Sequence, residues 1–79
     1  MFYTYILECA DGTLYAGSTN DIDRRLIEHN TAKNGAHYTK IRRPVVLRYT
    51  EEHKTLSLAR KREAAVKKLT RAQKKKLFE

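Results

Sequence analysis

Cysteine is almost absent from this sequence of 79 residues, in which Cys9 stands alone. One cysteine cannot form an internal disulfide, and with three scattered histidines it cannot make the Cys/His ligand set of a zinc site. No apolar run approaches the ~20 residues that a membrane-spanning helix needs. The first residues, MFYTYILEC, have neither the basic segment nor the cleavage site of a signal peptide. We therefore expect a soluble protein of the reducing cytoplasm with no membrane partner.

Acidic residues are also scarce, since 17 Lys and Arg outnumber 9 Asp and Glu and leave a formal charge of +8. Such an excess suggests a polyanionic partner, most often nucleic acid, although it can also serve solubility alone. The cations form one group in the centre of the chain and a denser one in its last third. We take Lys33, Lys40, Arg42, Arg43 and Lys67 from these groups as candidates for binding nucleic acid. The length leaves room for a single domain, residues 1–79.

Residues 2–9 alternate in the manner of a β-strand, and Asp11-Gly12 supplies a turn into a second strand at residues 13–18. This pattern predicts a β-hairpin. One face of its first strand carries Tyr3, Tyr5, Leu7 and Cys9.

The register of that hairpin has two solutions. A two-residue turn pairs Glu8 with Tyr15 and places Tyr5 and Tyr15 on opposite faces. A three-residue loop with Gly12 in a left-handed conformation pairs Leu7 with Tyr15 and brings the tyrosines to one face. If the tyrosines cooperate, the second register is required, and Gly17 then leaves room near the strand end for a phosphate or the first helix.

The rest of the chain predicts three helices and a further strand. Asn20 can cap a helix over residues 21–31, Thr55 can cap one over 56–68, and Thr70 with Gln73 makes a capping box for one over 71–78. A loop or short ribbon at 32–44 precedes a strand at 45–50. We expect an α+β fold in the order ββαβαα, with a small, three-stranded, mainly antiparallel sheet flanked by helices.

Three charged or polar residues stand beside apolar rows of the predicted helices. Glu63 interrupts the row of Leu56, Ala59 and Val66, with Leu58 expected alongside, so its carboxylate should meet a cation, a metal ion or the rim of a cleft. A salt bridge to a neighbouring Arg or Lys is the simpler interpretation. Arg25 and His29 lie beside the apolar row of the first helix, and each taken alone is best explained as a surface residue.

Taken together, these residues resemble the GIY-YIG nuclease superfamily, and in particular its small stand-alone bacterial members. The tripeptides YTY at 3–5 and YAG at 15–17 stand where that family has its two tyrosine motifs, although the first lacks Gly and Ile and the second has Ala16 for Ile. Arg25 and His29 follow in NDIDRRLIEHN, GAHYT at 35–39 resembles the central loop, and Glu63 lies in a later helix. The resemblance covers essentially the whole chain.

The resemblance implies a site as well as a fold. Tyr15 stands at the tyrosine regarded as the activator of the attacking water, and Tyr5 at the tyrosine of the first motif. Arg25 matches the arginine that holds the scissile phosphate, and Glu63 matches the metal-binding carboxylate. His29 and Tyr38 fall where residues often line the same site. A single Mg²⁺ or Mn²⁺, weakly held without substrate, would be the cofactor.

The activity implied is hydrolysis of phosphodiester bonds in DNA, with DNA repair or recombination as its setting. Without an appended recognition domain, we expect a structure-selective or weakly sequence-specific nuclease. A non-catalytic DNA- or RNA-binding module on the same scaffold is the alternative, and an adaptor for larger complexes is a third.

Overall fold

The fold, described for residues 1–31 and 41–79, was obtained as a computed structural model. Its elements are β1 Phe2–Glu8, β2 Leu14–Thr19, α1 Ile22–Thr31, β3 Val46–His53, α2 Leu56–Lys67 and α3 Arg71–Lys76. Within these residues the strands form an antiparallel sheet of three in the order β2-β1-β3. The α+β class and the order ββαβαα are confirmed. The GAHYT segment, Lys33, Tyr38 and Lys40 lie outside the described residues.

Strands β1 and β2 carry buried residues on both faces of the sheet. One face packs Tyr5, Leu7 and Cys9 of β1 and its extension against Val45, with α1 supplying Ile22 and Leu26. The opposite face packs Ile6, Leu14, Ala16 and Val66, with Leu77 and Phe78 from the end of the chain closing the cluster. Because successive side chains of β1 point to opposite faces of the sheet, they contribute to two hydrophobic clusters, one against α1 and one against α2 and α3.

The hairpin adopts the register that places its tyrosines on one face. Leu7 pairs with Tyr15 and Tyr5 pairs with Gly17. The Cys9 amide donates to the Thr13 carbonyl at 2.8 Å, which closes a loop of residues 10–12, and Gly12 has a φ of 84°. The prediction of a three-residue loop with a left-handed glycine is confirmed, because this loop length sets which side chains share a face.

Two of the three N-cap residues predicted from the sequence are confirmed. Thr55 accepts from the Leu58 amide at 3.2 Å, and Thr70 and Gln73 form the predicted capping box. For α1 the prediction was wrong by one residue: Asp21 Oδ1 accepts from the Arg24 amide at 3.0 Å, whereas Asn20 Oδ1 accepts from the Arg24 guanidinium. A carboxylate cap is favoured there by the helix dipole.

Helices α2 and α3 and strand β3 differ from their predicted boundaries. Helix α2 ends at Lys67, one residue before the predicted end at 68, and α3 ends at Lys76, two residues before the predicted end at 78. Strand β3 continues to His53, beyond the predicted end at 50, because its last residues pair with the start of β1 and Arg62 of α2 binds Glu51 at 2.9 Å. In α2, Ala59 and Val66 are buried as expected, but Leu58 is 47% exposed. None of the helices within the two described ranges is long and apolar enough to cross a membrane.

Replacing Gly12 tests the loop on which the register depends. We expect Gly12→Ala to lower the free energy of unfolding by about 1 kcal/mol, because a side chain at a positive φ is strained. The site has room for a methyl group, since the nearest atom to an added Cβ is Arg71 Nη2 at 3.8 Å. Gly12→Asn is the matched control and should lose less, because asparagine tolerates this conformation. Urea unfolding measures both, and an alanine variant as stable as the parent would contradict the strain.

Candidate functional site

The ring of Tyr5 lies across strand β2 at Gly17. A Cβ placed on Gly17 would lie 2.5 Å from Tyr5 Cζ and 3.1 Å from Cε1, closer than side chains tolerate. The missing side chain therefore makes room for the tyrosine. Our expectation that Gly17 admits a phosphate or the first helix is corrected, because the phenol of its own cross-strand partner takes the space.

His29, on α1, contacts both Tyr5 and Tyr15. Its Nε2 lies 2.9 Å from Tyr5 Oη, and its ring packs in a T-shaped arrangement with both phenols, with centroids 5.9 Å from Tyr5 and 5.2 Å from Tyr15. The side chain is 0% exposed, so the surface interpretation of His29 was wrong. The sequence could not show this because the partners come from two strands distant along the chain.

Burial controls the protonation of this cluster. It lowers the pKa of His29 to about 4, helped by the nearby charge of Arg25, so the imidazole is neutral at pH 7. Burial also raises the pKa of Tyr5 to about 12, because its effect is larger than that of the hydrogen bond with Arg25, which lowers the pKa. At pH 7 only about one Tyr5 in 10⁵ is then ionised. Tyr5 and His29 therefore form a neutral hydrogen-bonded pair, in which the tautomer of His29 decides which group donates.

Arg25 lies next to this pair on α1. Its Nη1 forms an ion pair with Glu28 Oε1 at 3.3 Å, and its side chain is half-buried. Together with Tyr5, Leu7 and Ile22 it lines a narrow depression on the α1 face of the sheet. This places a guanidinium beside the Tyr5 hydroxyl, at a rim that solvent reaches.

Glu63 reaches the same region from the other face of the sheet. Its Oε1 accepts a hydrogen bond from Ser18 Oγ at 2.6 Å, and its Oε2 lies 2.7 Å from Lys67 Nζ. Burial acts to raise the pKa of this carboxyl, but the hydrogen bonds from Lys67 and Ser18 outweigh it and hold the pKa below its usual range. Glu63 therefore makes the salt bridge that the simpler interpretation expected.

Lys67 links Glu63 to Tyr15. Its Nζ lies 5.9 Å from the centroid of the Tyr15 ring while it binds Glu63. The sequence did not indicate this contact, nor that of Ser18, which is 45 positions from Glu63. The only local signal was the four-residue spacing of Glu63 and Lys67 on one helix.

Arg42 and Arg43, like Lys67, are expected nucleic-acid contacts that bind the protein itself in this structure. Arg42 Nε lies 3.1 Å from Asp11 Oδ2, beside the hairpin loop. Arg43 Nε donates to the His29 carbonyl at 2.5 Å and its Nη2 to the Glu28 carbonyl at 3.4 Å, at the end of α1. These contacts tie the segment before β3 to the hairpin and to α1.

A divalent ion would find one carboxylate at this site. Within residues 1–31 and 41–79 no group of three or more His, Cys, Asp or Glu side chains could hold a metal. Glu63 is anionic, 20% exposed and a hard oxygen donor. It therefore fits Mg²⁺ or Mn²⁺, which keep several water ligands and bind through one or two carboxylates with substrate phosphate.

A small antiparallel sheet with paired tyrosines, an arginine and one helical carboxylate defines a recognisable class of domain. The family model of the GIY-YIG catalytic domain matches residues 1–76. The chain therefore belongs to the GIY-YIG family, a nuclease superfamily whose substrates are nucleic acids.

Similar proteins carry names that specify no activity. A UPF0213 protein of Halobacterium salinarum is 51% identical over 78 residues, 99% of this chain and 100% of its own. One from Syntrophus aciditrophicus is 55% identical over 76 residues, 96% of this chain and 87% of its own. The solution NMR structure of an E. faecalis protein is 49% identical, with a TM-score of 0.61, and the match covers 94% of this chain and 78% of that one.

Substituting Gly17 tests the close approach of Tyr5. We expect Gly17→Ala to cost roughly 1–3 kcal/mol of unfolding free energy, because a methyl group collides with the phenol and forces it off His29. The control is the same change in a Tyr5→Ala background, where the ring is gone and most of the penalty should disappear. An equal penalty in both backgrounds, measured by urea unfolding, would assign the cost to something other than Tyr5.

The buried His29 predicts how stability depends on pH. The pKa of His29 is about 4 in the folded chain, against the ordinary histidine value of 6.5 that applies when the chain is unfolded, so the unfolded chain binds the proton first as pH falls. Stability is therefore complete above pH 6.5 and declines below it, by roughly 2 kcal/mol between pH 7 and pH 5. Urea unfolding at both pH values should show this loss, and His29→Gln should remove most of it. An NMR titration midpoint for His29 near 6.5 would contradict the assignment.

Proposed function

We propose that this protein is a metal-dependent nuclease that hydrolyses phosphodiester bonds in DNA. The observation that supports this most is the convergence near Gly17 of Tyr5, Tyr15 and His29, with Arg25 at their rim. Glu63 joins them through Ser18, the residue after Gly17, and through Lys67. A phosphoryl site needs a base for water, a cation for the phosphate and a stabiliser for the leaving oxygen. The cluster supplies Tyr15 as the base and Arg25 as the cation, and Glu63 would hold a divalent ion as the stabiliser.

The proposed roles follow from protonation and exposure. Tyr15 is only partly buried, and its phenolate form would accept the proton of the attacking water, while Arg25 holds the oxygens of the scissile phosphate. Tyr5 keeps its proton, because its pKa is about 12, and therefore acts as a hydrogen-bond donor that orients water or phosphate. His29 is neutral and fixes the Tyr5 hydroxyl.

Glu63 would hold the divalent ion, Mg²⁺ or Mn²⁺. When bound, such an ion supplies positive charge to the leaving 3′-oxygen. Ser18 fixes the orientation of the Glu63 carboxylate. The lowered pKa of Glu63 keeps this carboxylate ionised at pH 7. A single carboxylate predicts weak ion binding in the absence of DNA, since phosphate oxygens complete the coordination shell.

The substrate surface that we propose is basic and sequence-independent. The exposed side chains of Arg60, Lys61 and Lys76 lie on α2 and α3. As further contacts to nucleic acid we propose Lys33, Tyr38, Lys40, Arg42, Arg43 and Lys67, of which Lys33, Tyr38 and Lys40 lie outside the described residues. Contacts to phosphate position a duplex without selecting a sequence, so the nuclease would be structure-selective or weakly specific. DNA repair or recombination in the reducing cytoplasm is the setting that we propose.

A non-catalytic nucleic-acid-binding module is the second candidate. The observation in its favour is that Lys67 and Ser18 already satisfy the Glu63 carboxylate. In that case the basic surface would bind DNA or RNA with an affinity that falls steeply with salt, and the tyrosine cluster would serve only the core.

Cleavage assays with matched variants distinguish the two candidates. With Mg²⁺ or Mn²⁺ we expect the protein to cut supercoiled, branched or single-stranded DNA. Glu63→Gln, Tyr15→Phe and Arg25→Ala should each lower the rate by roughly 10² to 10⁴-fold, because each removes a group that acts in the transition state. Gel analysis of the products, with RNA as a parallel substrate, measures the rates.

The controls for these variants lie outside the cluster. Glu52→Gln on β3, Tyr3→Phe on β1 and Arg24→Ala on α1 remove the same groups at positions away from the site and should leave the rate unchanged. No cleavage of any substrate, or cleavage that Glu63→Gln leaves undiminished, would reject the nuclease and leave the binding module.

A further inference from the structure

Lys67 occupies a position in the cluster that differs from that of the other cations on α2. Its Nζ lies 2.7 Å from Glu63 Oε2, one helical turn away, while Ser18 holds the other oxygen at 2.6 Å. The same ammonium lies 5.9 Å from the centre of the Tyr15 ring. One cation thus contacts the carboxylate that would bind a metal ion and the phenol that would activate water.

The environment of Lys67 allows it to leave this position. Its side chain is 51% exposed, and the adjacent Val66 anchors α2 in the core independently of it. A lysine side chain has a flexible stem of four carbons, and its ammonium keeps three hydrogen-bond donors in every orientation. Moving the ammonium into solvent therefore breaks the ion pair with Glu63 and the contact with the Tyr15 ring, but no apolar packing of the core.

We propose that Lys67 is the internal counter-cation of Glu63: it competes with a divalent ion for the carboxylate and, once released, binds substrate phosphate. The inference rests on the proposed function and adds regulation to its site. Two cations on one carboxylate repel each other, so the ion binds only as the ammonium withdraws. The displaced ammonium is then free to form an ion pair with another anion, and on a nucleic acid that anion is a phosphate group.

This arrangement couples the two ligands. A divalent ion frees Lys67 for phosphate, and phosphate bound to Lys67 frees Glu63 for the ion, so each raises the affinity for the other by the same factor. The protein alone would hold the ion weakly and keep Glu63 neutralised. The ion would bind tightly only when a nucleic acid is present.

Binding of Mn²⁺, measured by electron paramagnetic resonance of the full chain without nucleic acid, tests the competition. We expect Lys67→Met, which keeps the apolar stem and removes the charge, to bind Mn²⁺ roughly tenfold more tightly than the parent. Lys67→Gln should behave in the same way. Lys68→Met removes an equal charge from the exposed neighbouring position and should bind as the parent does.

Oligonucleotide binding without any metal ion tests the release of Lys67. By fluorescence anisotropy, Glu63→Gln should bind a short single-stranded DNA roughly threefold to tenfold more tightly than the control Glu52→Gln, which loses the same charge elsewhere. In a Lys67→Met background this extra gain should vanish, because there is no ammonium to release.

The outcomes separate this inference from the proposed function. Equal Mn²⁺ affinity of Lys67→Met, Lys68→Met and the parent, with binding abolished by Glu63→Gln, would overturn the role of Lys67 and leave the metal site standing. Mn²⁺ binding that Glu63→Gln leaves unchanged would overturn both. A gain of DNA affinity in Glu63→Gln that persists in the Lys67→Met background would also overturn the role of Lys67.

Discussion

The register of the β1–β2 hairpin is the constraint on which the site depends. The loop of residues 10–12, with Gly12 at a positive φ, pairs Leu7 with Tyr15 and Tyr5 with Gly17. A shift of one residue would turn Tyr15 toward α2 and separate it from Tyr5. The absence of a side chain at Gly17 then lets the Tyr5 ring cross β2 to His29. A local turn conformation thus decides which side chains can act together.

Two polar arrangements of opposite character meet around β2. On the α1 side, Tyr5 and His29 are buried and neutral, because burial opposes charge on either ring. At the edge near α2, Glu63 and Lys67 are partly exposed and ionised, because each supports the charge of the other. The neutral pair gives rigid geometry, and the ionic pair can exchange partners with solutes. The nuclease that we propose would use both properties, the first to orient a phosphate and the second to bind a divalent ion.

The fold and the identity of the family could be predicted from the sequence because their signals are local. Alternation in β1, the Asp11-Gly12 turn and the caps at Thr55 and Thr70 each depend on a few adjacent residues. The errors arose where distant contacts override such signals. Strand β3 extends because β1 and Arg62 hold its end, and His29 is buried although its helical position resembles a surface one. The Asp21 cap is a smaller case, in which two neighbouring residues compete for one role.

The sequence by itself determined that this chain forms a hairpin followed by α, β and two further α elements, and that Tyr5, Tyr15, Arg25 and Glu63 are the residues to consider. It left the hairpin register open, since both loop lengths suit Ala10-Asp11-Gly12. Only the tertiary structure decided that register, the burial and neutrality of His29, and the attachment of Glu63 to Ser18 and Lys67. The physical reason is that desolvation and ion pairing depend on which elements pack together, and neither is encoded by any short segment.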